Sequence, residues 1–110
     1  MEVKATAKGV RVSPKKARGI VDMIRGKGAN EALAILKFTP SPAARMVSRV
    51  VKSAVANAEN NYQMIPSELK VTQAFVDEGM TMKRIRFQGR GRVNPILKRS
   101  SHITIVVEEM

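Results

Sequence analysis

The chain has 110 residues, and its 20 Lys and Arg against 9 Asp and Glu give a formal net charge of +11. A length of this order predicts a single domain with a modest hydrophobic core. A positive charge this large indicates a polyanionic partner, because each phosphate that pairs with a cation releases condensed counterions. The absence of cysteine excludes disulfides, thiolate catalysis and cysteine-based metal sites.

An anionic membrane is the other polyanion to consider. No stretch of the sequence approaches the roughly 18 to 20 consecutive apolar residues of a membrane span. The N-terminus alternates charged and apolar residues, whereas a signal peptide has a continuous apolar segment. We therefore expect a cytoplasmic protein without a membrane span.

The N-terminal residues predict a strand and then a helix. Apolar and polar residues alternate from Val3 to Lys8, which is typical of a strand and places Lys4 and Lys8 on one face. Ser13-Pro14 predicts a helix start, since Ser can cap the helix and Pro fits its first position.

Three cations, Lys15, Lys16 and Arg18, fall at the beginning of this first helix. The helix dipole disfavours positive charge at the N-terminal end. We therefore expect an external anion to lie against them. Gly26 and Gly28 predict the end of the helix.

Two further helices are predicted before the chain reaches its second strand. Asn30 is the predicted cap of the second helix, which Thr39-Pro40 ends. Ser41-Pro42 repeats the earlier start signal, and the third helix is expected to continue to about residue 60.

A basic stripe marks the third helix, where Arg45, Arg49 and Lys52 recur at helical spacing opposite the apolar face. No acid lies between Glu31 and Glu59 to balance these charges. The stripe is either an ordinary solvated surface or a phosphate-binding face, and the sequence leaves both interpretations open.

Two further strands are predicted from Leu69 to Val76 and from His102 to Val107, and they can pair antiparallel. The residues between them, Met80 to Ser100, are too many for an ordinary turn in a compact domain. We interpret them as an extended hairpin arm, whose legs of about ten residues would reach about 30 Å from the body.

This arm is strongly basic, because no acid occurs between Glu78 and Glu108. Gly89 and Gly91 permit positive φ angles and a close approach of the backbone to a ligand. A flexible, solvated loop is the alternative interpretation. Charge density, length and the flanking strands favour contact with nucleic acid. The seven cations of the arm are Lys83, Arg84, Arg86, Arg90, Arg92, Lys98 and Arg99.

No constellation of catalytic residues is present. His102 is the only histidine and lies within a predicted strand, where a structural or RNA-facing role is expected. Gly89-x-Gly91 lacks the third glycine and the strand-to-helix context of a nucleotide-binding loop. We therefore expect no catalytic residue, no metal and no cofactor.

Six blocks of this sequence closely resemble the bacterial type of the large-subunit ribosomal protein twenty-two family. The likeness runs in the same order over essentially the whole chain. It implies an α+β fold in which a three-stranded antiparallel sheet packs with three helices, and a long β-hairpin arm protrudes at about residues 79–100 of a single domain, 1–110. The blocks are Arg11–Arg18, Ile24–Lys27, Ala54–Ala58, Val76–Gly79, Met82–Arg84 and Leu97–Ile103.

The resemblance also implies a function. Members of this family are structural constituents of the large ribosomal subunit that bind its RNA and support subunit assembly. Their hairpin lines the nascent-peptide exit tunnel near the constriction, opposite an extension of ribosomal protein four. Large-subunit RNA, neighbouring ribosomal proteins and the nascent peptide are therefore the expected partners, and no homo-oligomer is expected.

The residues that match the family's basic segments, together with the basic face of the first strand and Arg49, are the candidate rRNA-binding residues. They are Lys4, Lys8, Arg11, Ser13, Lys15, Lys16, Arg18, Arg25, Lys27, Arg49, Lys83, Arg84, Arg86, Arg90, Arg92, Lys98, Arg99 and His102. The expected tunnel-lining tip comprises Gln88, Gly89, Arg90, Gly91, Arg92 and Val93.

The tip departs from the family pattern. Relatives commonly carry Pro-Arg-Ala where this chain has Phe87-Gln88-Gly89, and a small residue where Val93 stands. Losing the proline and gaining a glycine should loosen the turn. Losing one arginine should remove about one contact with a phosphate or base.

Two other classes of function compete with this reading. A free DNA-binding regulator could use the second and third helices as a helix-turn-helix, but the basic residues are spread over the strand, the first helix and the arm. An enzyme acting on RNA would need a carboxylate cluster or a histidine pair, and the acids of this chain are dispersed.

Overall fold

The computed structural model of the chain describes residues 2–88 and 92–109, with side chains described over 2–81 and 98–109. The described residues form an α+β fold, as predicted. Its elements in chain order are β1 (Glu2–Val10), α1 (Pro14–Ile24), α2 (Ala29–Phe38), α3 (Pro42–Tyr62), a 3-10 turn (Pro66–Glu68), β2 (Leu69–Glu78), β3 (Met82–Gln88), β4 (Arg92–Lys98) and β5 (Ser101–Glu109).

The main sheet has the strand order β1-β5-β2, and both pairs are antiparallel. The last strand of the chain is therefore the central one, with Ile105 opposite Ala5 on one side and Ala74 on the other. The predicted pairing of β2 with β5 is confirmed. Alternation along β5 places Ile103 and Val107 on the covered face, where both are fully buried.

The hydrophobic core lies between this face of the sheet and the helices α1 and α3, while α2 packs against α3. Val21 and Ile24 of α1 and Val47 and Val51 of α3 are fully buried. These residues recur at helical spacing, so each helix stabilises the fold through one apolar face, at about 1.5–3 kcal/mol for each fully buried aliphatic side chain.

The two Ser-Pro start signals are confirmed. The side chain of Ser13 accepts a hydrogen bond from the backbone N–H of Lys16 at 3.4 Å, and that of Ser41 accepts one from Ala43 at 3.2 Å. In both helices proline occupies the first turn, where its missing N–H costs no hydrogen bond.

The predicted start of the second helix is wrong by two residues. Gly28, and not Asn30, is the N-cap of α2, and no side chain caps it. The backbone around Gly28 forms a β-bridge with Lys70, and the Gly28 carbonyl accepts the N–H of Ala32 at 2.8 Å. This tertiary pairing fixes where the helix begins, so the local capping preference of asparagine does not decide it.

The hairpin arm is formed by β3 and β4, which pair antiparallel from Met82 with Lys98 to Gln88 with Arg92. The radius of gyration is 16.8 Å, compared with about 13 Å for a compact domain of this length. The longest axis of the molecule is 61 Å. The predicted hairpin is thus confirmed in the described residues. The tip residues Gly89, Arg90 and Gly91 lie outside them.

Candidate nucleic-acid interface

A basic cleft lies where the arm leaves the body. Its volume is about 580 Å³, and the described residues that line it include three cations and no acid. The side chains of Arg11, Lys98 and Arg99 are all exposed. We call this the arm-base cleft, and its lining residues are Gly9, Arg11, Ser13, Met80, Lys98, Arg99 and Ser100. Predicted RNA-binding residues from two distant segments of the sequence are therefore brought together here.

One wall of the cleft is the link between β1 and α1. The β1–β5 register shifts between Ala7 and Val10, and Gly9 has a φ of +65°, a left-handed conformation that favours glycine. The N–H of Gly9 donates to Nδ1 of His102 at 3.0 Å. The half-buried His102 thus uses one ring nitrogen to hold the irregular end of β1.

The other wall is the base of the arm, which is held by cross-strand contacts. Gly79 donates its N–H to the carbonyl of Ser100 at 3.0 Å, and the Ser100 hydroxyl lies 2.6 Å from the carbonyl oxygen of Met80. A Cβ atom at Gly79 would lie 2.5 Å from the Ser100 hydroxyl and 3.3 Å from its carbonyl carbon. A side chain at position 79 would therefore displace the Ser100 hydroxyl and push these two segments of the arm base slightly apart.

A buried serine connects the two walls. Ser101 is fully buried, and its hydroxyl donates to the carbonyl of Val12. Val12 follows Arg11, and Ser101 comes two residues after Arg99, so this bond fixes the backbones that carry both cations. Sequence reasoning missed this role. The signal was available, since Ser101 shares the period of two that buries Ile103 and Ile105.

The first turn of α1 continues the basic surface. Lys15 and Lys16 are exposed, and the turn contains no acid. Pro14 and Arg99 also line a smaller depression next to the arm base, which Glu78 borders. Lys15 and Lys16 thus follow directly in the chain after Ser13, which lines the arm-base cleft, and Pro14, which lines the smaller depression.

Two other cations, Arg18 on α1 and Arg25 directly after it, have contacts within the body. Arg18 donates from Nε to the carbonyl of Val76 at 3.3 Å. Arg25 donates to the carbonyl of Ala74 through Nε and Nη2, and its Nη1 lies 2.7 Å from the Asp22 carboxylate. These guanidinium groups attach α1 to the outer edge of β2, a strand edge that would otherwise present unpaired carbonyls.

The edge of β2 is covered further by the α1–α2 link. Gly26 donates to the carbonyl of Val71 at 2.9 Å, and Val71 donates to the carbonyl of Lys27 at 2.8 Å. Val71 lies seven residues before Glu78, so Lys27 is about 23 Å along the strand from the arm base. The structure does not bring Lys27 to the arm-base cleft.

Three predicted cations lie on other parts of the body. Lys4 and Lys8 are exposed on β1, and Lys4 is opposite Val106 of the central strand. Arg49 is exposed on α3. It borders two depressions, one between α3 and β1 and one between α2 and α3.

The arm itself is described by its strand register. Arg84 is opposite Ile96, Arg86 is opposite Asn94, and Gln88 is opposite Arg92. Because alternate residues of paired strands share a face, Arg84, Arg86 and Arg92 occupy positions on the same face of the hairpin. Lys83 and Val93 occupy positions on the other face. Gly89, Arg90 and Gly91 of the expected tip are outside the described residues.

Other kinds of site find no support in the described part of the chain. There, no group of three or more His, Asp or Glu side chains could hold a metal ion. Among the described helices, none is long and apolar enough to cross a membrane.

Comparison with known proteins gives one consistent result. Residues 5–108 match the model of the family described as ribosomal protein L22p/L17e. A protein of Dehalococcoides mccartyi strain 195 is 57% identical over 109 residues, which cover 99% of this chain and 100% of the relative. A protein of Halothermothrix orenii is 56% identical over 109 residues, covering 99% and 96%. Both relatives are named large ribosomal subunit protein uL22.

Proposed function

The chain belongs to the ribosomal protein L22p/L17e family, and from this premise we propose which of its surfaces serve the large ribosomal subunit. Its function is that of a structural, non-enzymatic constituent of the large subunit that binds ribosomal RNA. The observation that carries this conclusion is the match over residues 5–108, which includes both the body and the arm. A cytoplasmic location, within the assembled subunit, follows from the same proposal.

The arm-base cleft is the proposed main RNA contact of the body. Arg11, Lys98 and Arg99 converge there from separate segments, and none of the described lining residues is an acid. Three exposed cations held close together repel one another in the free protein, and phosphates remove this repulsion. Lys15 and Lys16 extend the same surface along the first turn of α1.

The arm, about residues 79–100, is proposed to continue inward from this contact as part of the same functional unit, residues 1–110. Its strands place Arg84, Arg86 and Arg92 on one face, where they would pair with RNA phosphates or stack on bases. The tip, Gln88 to Val93, is proposed to line the nascent-peptide tunnel opposite ribosomal protein four. By holding RNA segments together, the protein would support subunit assembly.

Four other candidate residues fall into two groups, two that contact the body and two exposed lysines. Ser13 caps α1 and His102 holds Gly9, so both would act on RNA mainly by positioning the arm-base cleft. Lys4 and Lys8 are free to meet phosphates from the exposed side of β1.

The test is a binding measurement with the intact protein. Transcribed large-subunit RNA should bind with a steep dependence on salt, with a slope that grows by about 0.7–0.9 for each phosphate contacted. In a mobility-shift assay, duplex DNA should bind the protein more weakly than this RNA does. The protein should also sediment with large subunits after a high-salt wash. Recovery only in the ribosome-free fraction would overturn the proposed function.

A further inference from the structure

The outer edge of β1 has no partner strand in the described part of the chain. β1 stands first in the strand order β1-β5-β2, so only its inner side is paired, with β5 from Glu2 to Val10. Alternate residues of a strand direct their backbone N–H and C=O groups to opposite sides. The outer edge of β1 therefore presents about four residues whose backbone groups find no strand partner among the described residues.

The opposite edge of the same sheet is covered by the chain itself. Along β2, the α1–α2 link exchanges backbone hydrogen bonds with Val71. Arg18 and Arg25 donate to two further carbonyls of this strand. No described segment covers β1 in this way. A bare strand edge is a template for a further strand, so this asymmetry indicates where a partner can add to the sheet.

A groove lies beside the open edge, between β1 and α3. Its volume is about 250 Å³, and most of the described residues that line it are apolar. The side chains that β1 contributes are mostly small, and they leave room next to its backbone. We call this the β1-edge groove, and we define it by its apolar residues Ala5, Ala7, Val10, Met46 and Val50.

The edge and the groove together fit an extended polypeptide. A strand added beside β1 would direct every second side chain toward α3, at intervals of about 6.6 Å, so aliphatic side chains would meet the apolar lining. Its backbone would supply both N–H donors and C=O acceptors, as the edge of β1 requires. Phosphates supply only acceptors and would leave the outward carbonyls of β1 unpaired. The chemistry of this surface therefore favours protein over RNA.

Charge distinguishes between a different protein and a second copy of this chain. Arg49 is exposed and lines the groove, and no acid is among its described lining residues. The chain carries a formal net charge of +11, so two copies repel each other. A segment that contains Asp or Glu would instead pair with Arg49.

We propose that the β1-edge groove receives an extended segment of a neighbouring protein of the large subunit, which adds to the three-stranded sheet as a fourth strand. The segment carries aliphatic residues at alternate positions and an Asp or Glu that pairs with Arg49. This inference rests on the proposed function, since it takes the partner from the large subunit. One edge of the sheet would then contact protein, while the arm-base cleft contacts RNA.

The first experiment is photo-cross-linking in assembled large subunits that contain the full-length chain. Ser53→p-benzoylphenylalanine places the probe on the α3 wall of the groove, and Asn60→p-benzoylphenylalanine is the matched control on the same helix, outside the groove. Both positions are exposed, so neither variant should disturb the fold. The Ser53 variant should form an adduct with a segment of another protein that has the proposed pattern. The Asn60 variant should not form this adduct.

Hydrogen exchange at single-residue resolution tests the added strand itself. In the free protein, the amides of β1 should alternate between slow exchange, where they pair with β5, and fast exchange at the outer edge. In the large subunit, the fast amides should slow by about tenfold, because they gain hydrogen-bond partners. The alternation should then disappear.

Four results would overturn the inference: adducts of the Ser53 variant with RNA only, with a second copy of this chain, with a segment that lacks the proposed pattern, or with nothing. Unchanged exchange at the outer edge of β1 would do the same. The proposed function would still stand in these cases if the chain sediments with large subunits. If the parent chain does not enter large subunits, both the inference and the proposed function are wrong.

Discussion

Arg18 and Arg25 lie along the outer edge of β2, whereas Arg11 and Arg99 lie around the arm-base cleft. The first pair donates to the strand carbonyls of Val76 and Ala74. The second pair lines a depression in which the part of the chain that the structure describes places no acid. Arginine therefore occurs in two settings in one small body, bonded to strand carbonyls or exposed around a basic cleft. Guanidinium groups that meet a bare strand edge stabilise the fold, and those exposed around the cleft are proposed to bind phosphates.

Deletion of the arm should change RNA binding most, while the stability of the body should change little. Deleting residues 84–95 removes Arg84, Arg86, Arg90 and Arg92 and none of the core residues. The salt slope for large-subunit RNA should fall by about four. The free energy of unfolding of the body, measured in urea, should change by less than about 2 kcal/mol. A larger change would mean that the arm is part of the core.

The arm-base cleft should show a smaller effect of the same kind. The triple variant Arg11→Gln/Lys98→Gln/Arg99→Gln should lower the salt slope by about three and leave stability within about 0.5 kcal/mol per substitution, because the three side chains are exposed. Filter binding and urea unfolding provide the two measurements. An unchanged slope would show that the cleft is not part of the RNA interface, and the arm would then be the main contact.

Ser101 also lies beside the cleft, but we expect it to affect stability and not RNA binding, because its hydroxyl joins the two backbone segments that form the cleft. Ser101→Ala removes the bond to the Val12 carbonyl and leaves that carbonyl without this donor. We expect a loss of about 1–3 kcal/mol in the free energy of unfolding. Ser100→Ala is the control, because the Ser100 hydroxyl bonds Met80 at an exposed site and should matter less. Equal losses in both variants would contradict this distinction.

Much of the fold could be predicted from local pattern, and the reason is physical. The two Ser-Pro signals and the period of two in β2 and β5 act within a few residues of sequence, so the structure confirms them. The cap at Asn30 was wrong because a bridge between Gly28 and Lys70, remote in sequence, sets the start of α2.

The sequence indicates which cations are candidates for RNA binding, but it does not indicate which of them contact the body. Arg25 and Arg99 look equivalent in the sequence, since both stand in basic segments that match the family. Only the packing of α1 beside β2 brings Arg25 within reach of the Ala74 carbonyl. Whether a cation is engaged by the body depends on contacts between distant segments, which local spacing does not report.

The two settings can be compared directly by removing one charge of each kind, one from the first turn of α1 and one from the residue that follows its end. Arg25→Gln should lower the free energy of unfolding by about 1 kcal/mol, since it loses charge-assisted bonds at a partly exposed strand edge. The salt slope for RNA should hardly change. Lys16→Gln should do the reverse, with a slope lower by about one and unchanged stability. If Arg25→Gln instead lowered the slope as much as Lys16→Gln does, the guanidinium would bind RNA as well as β2, and contacts within the body would not separate the two classes.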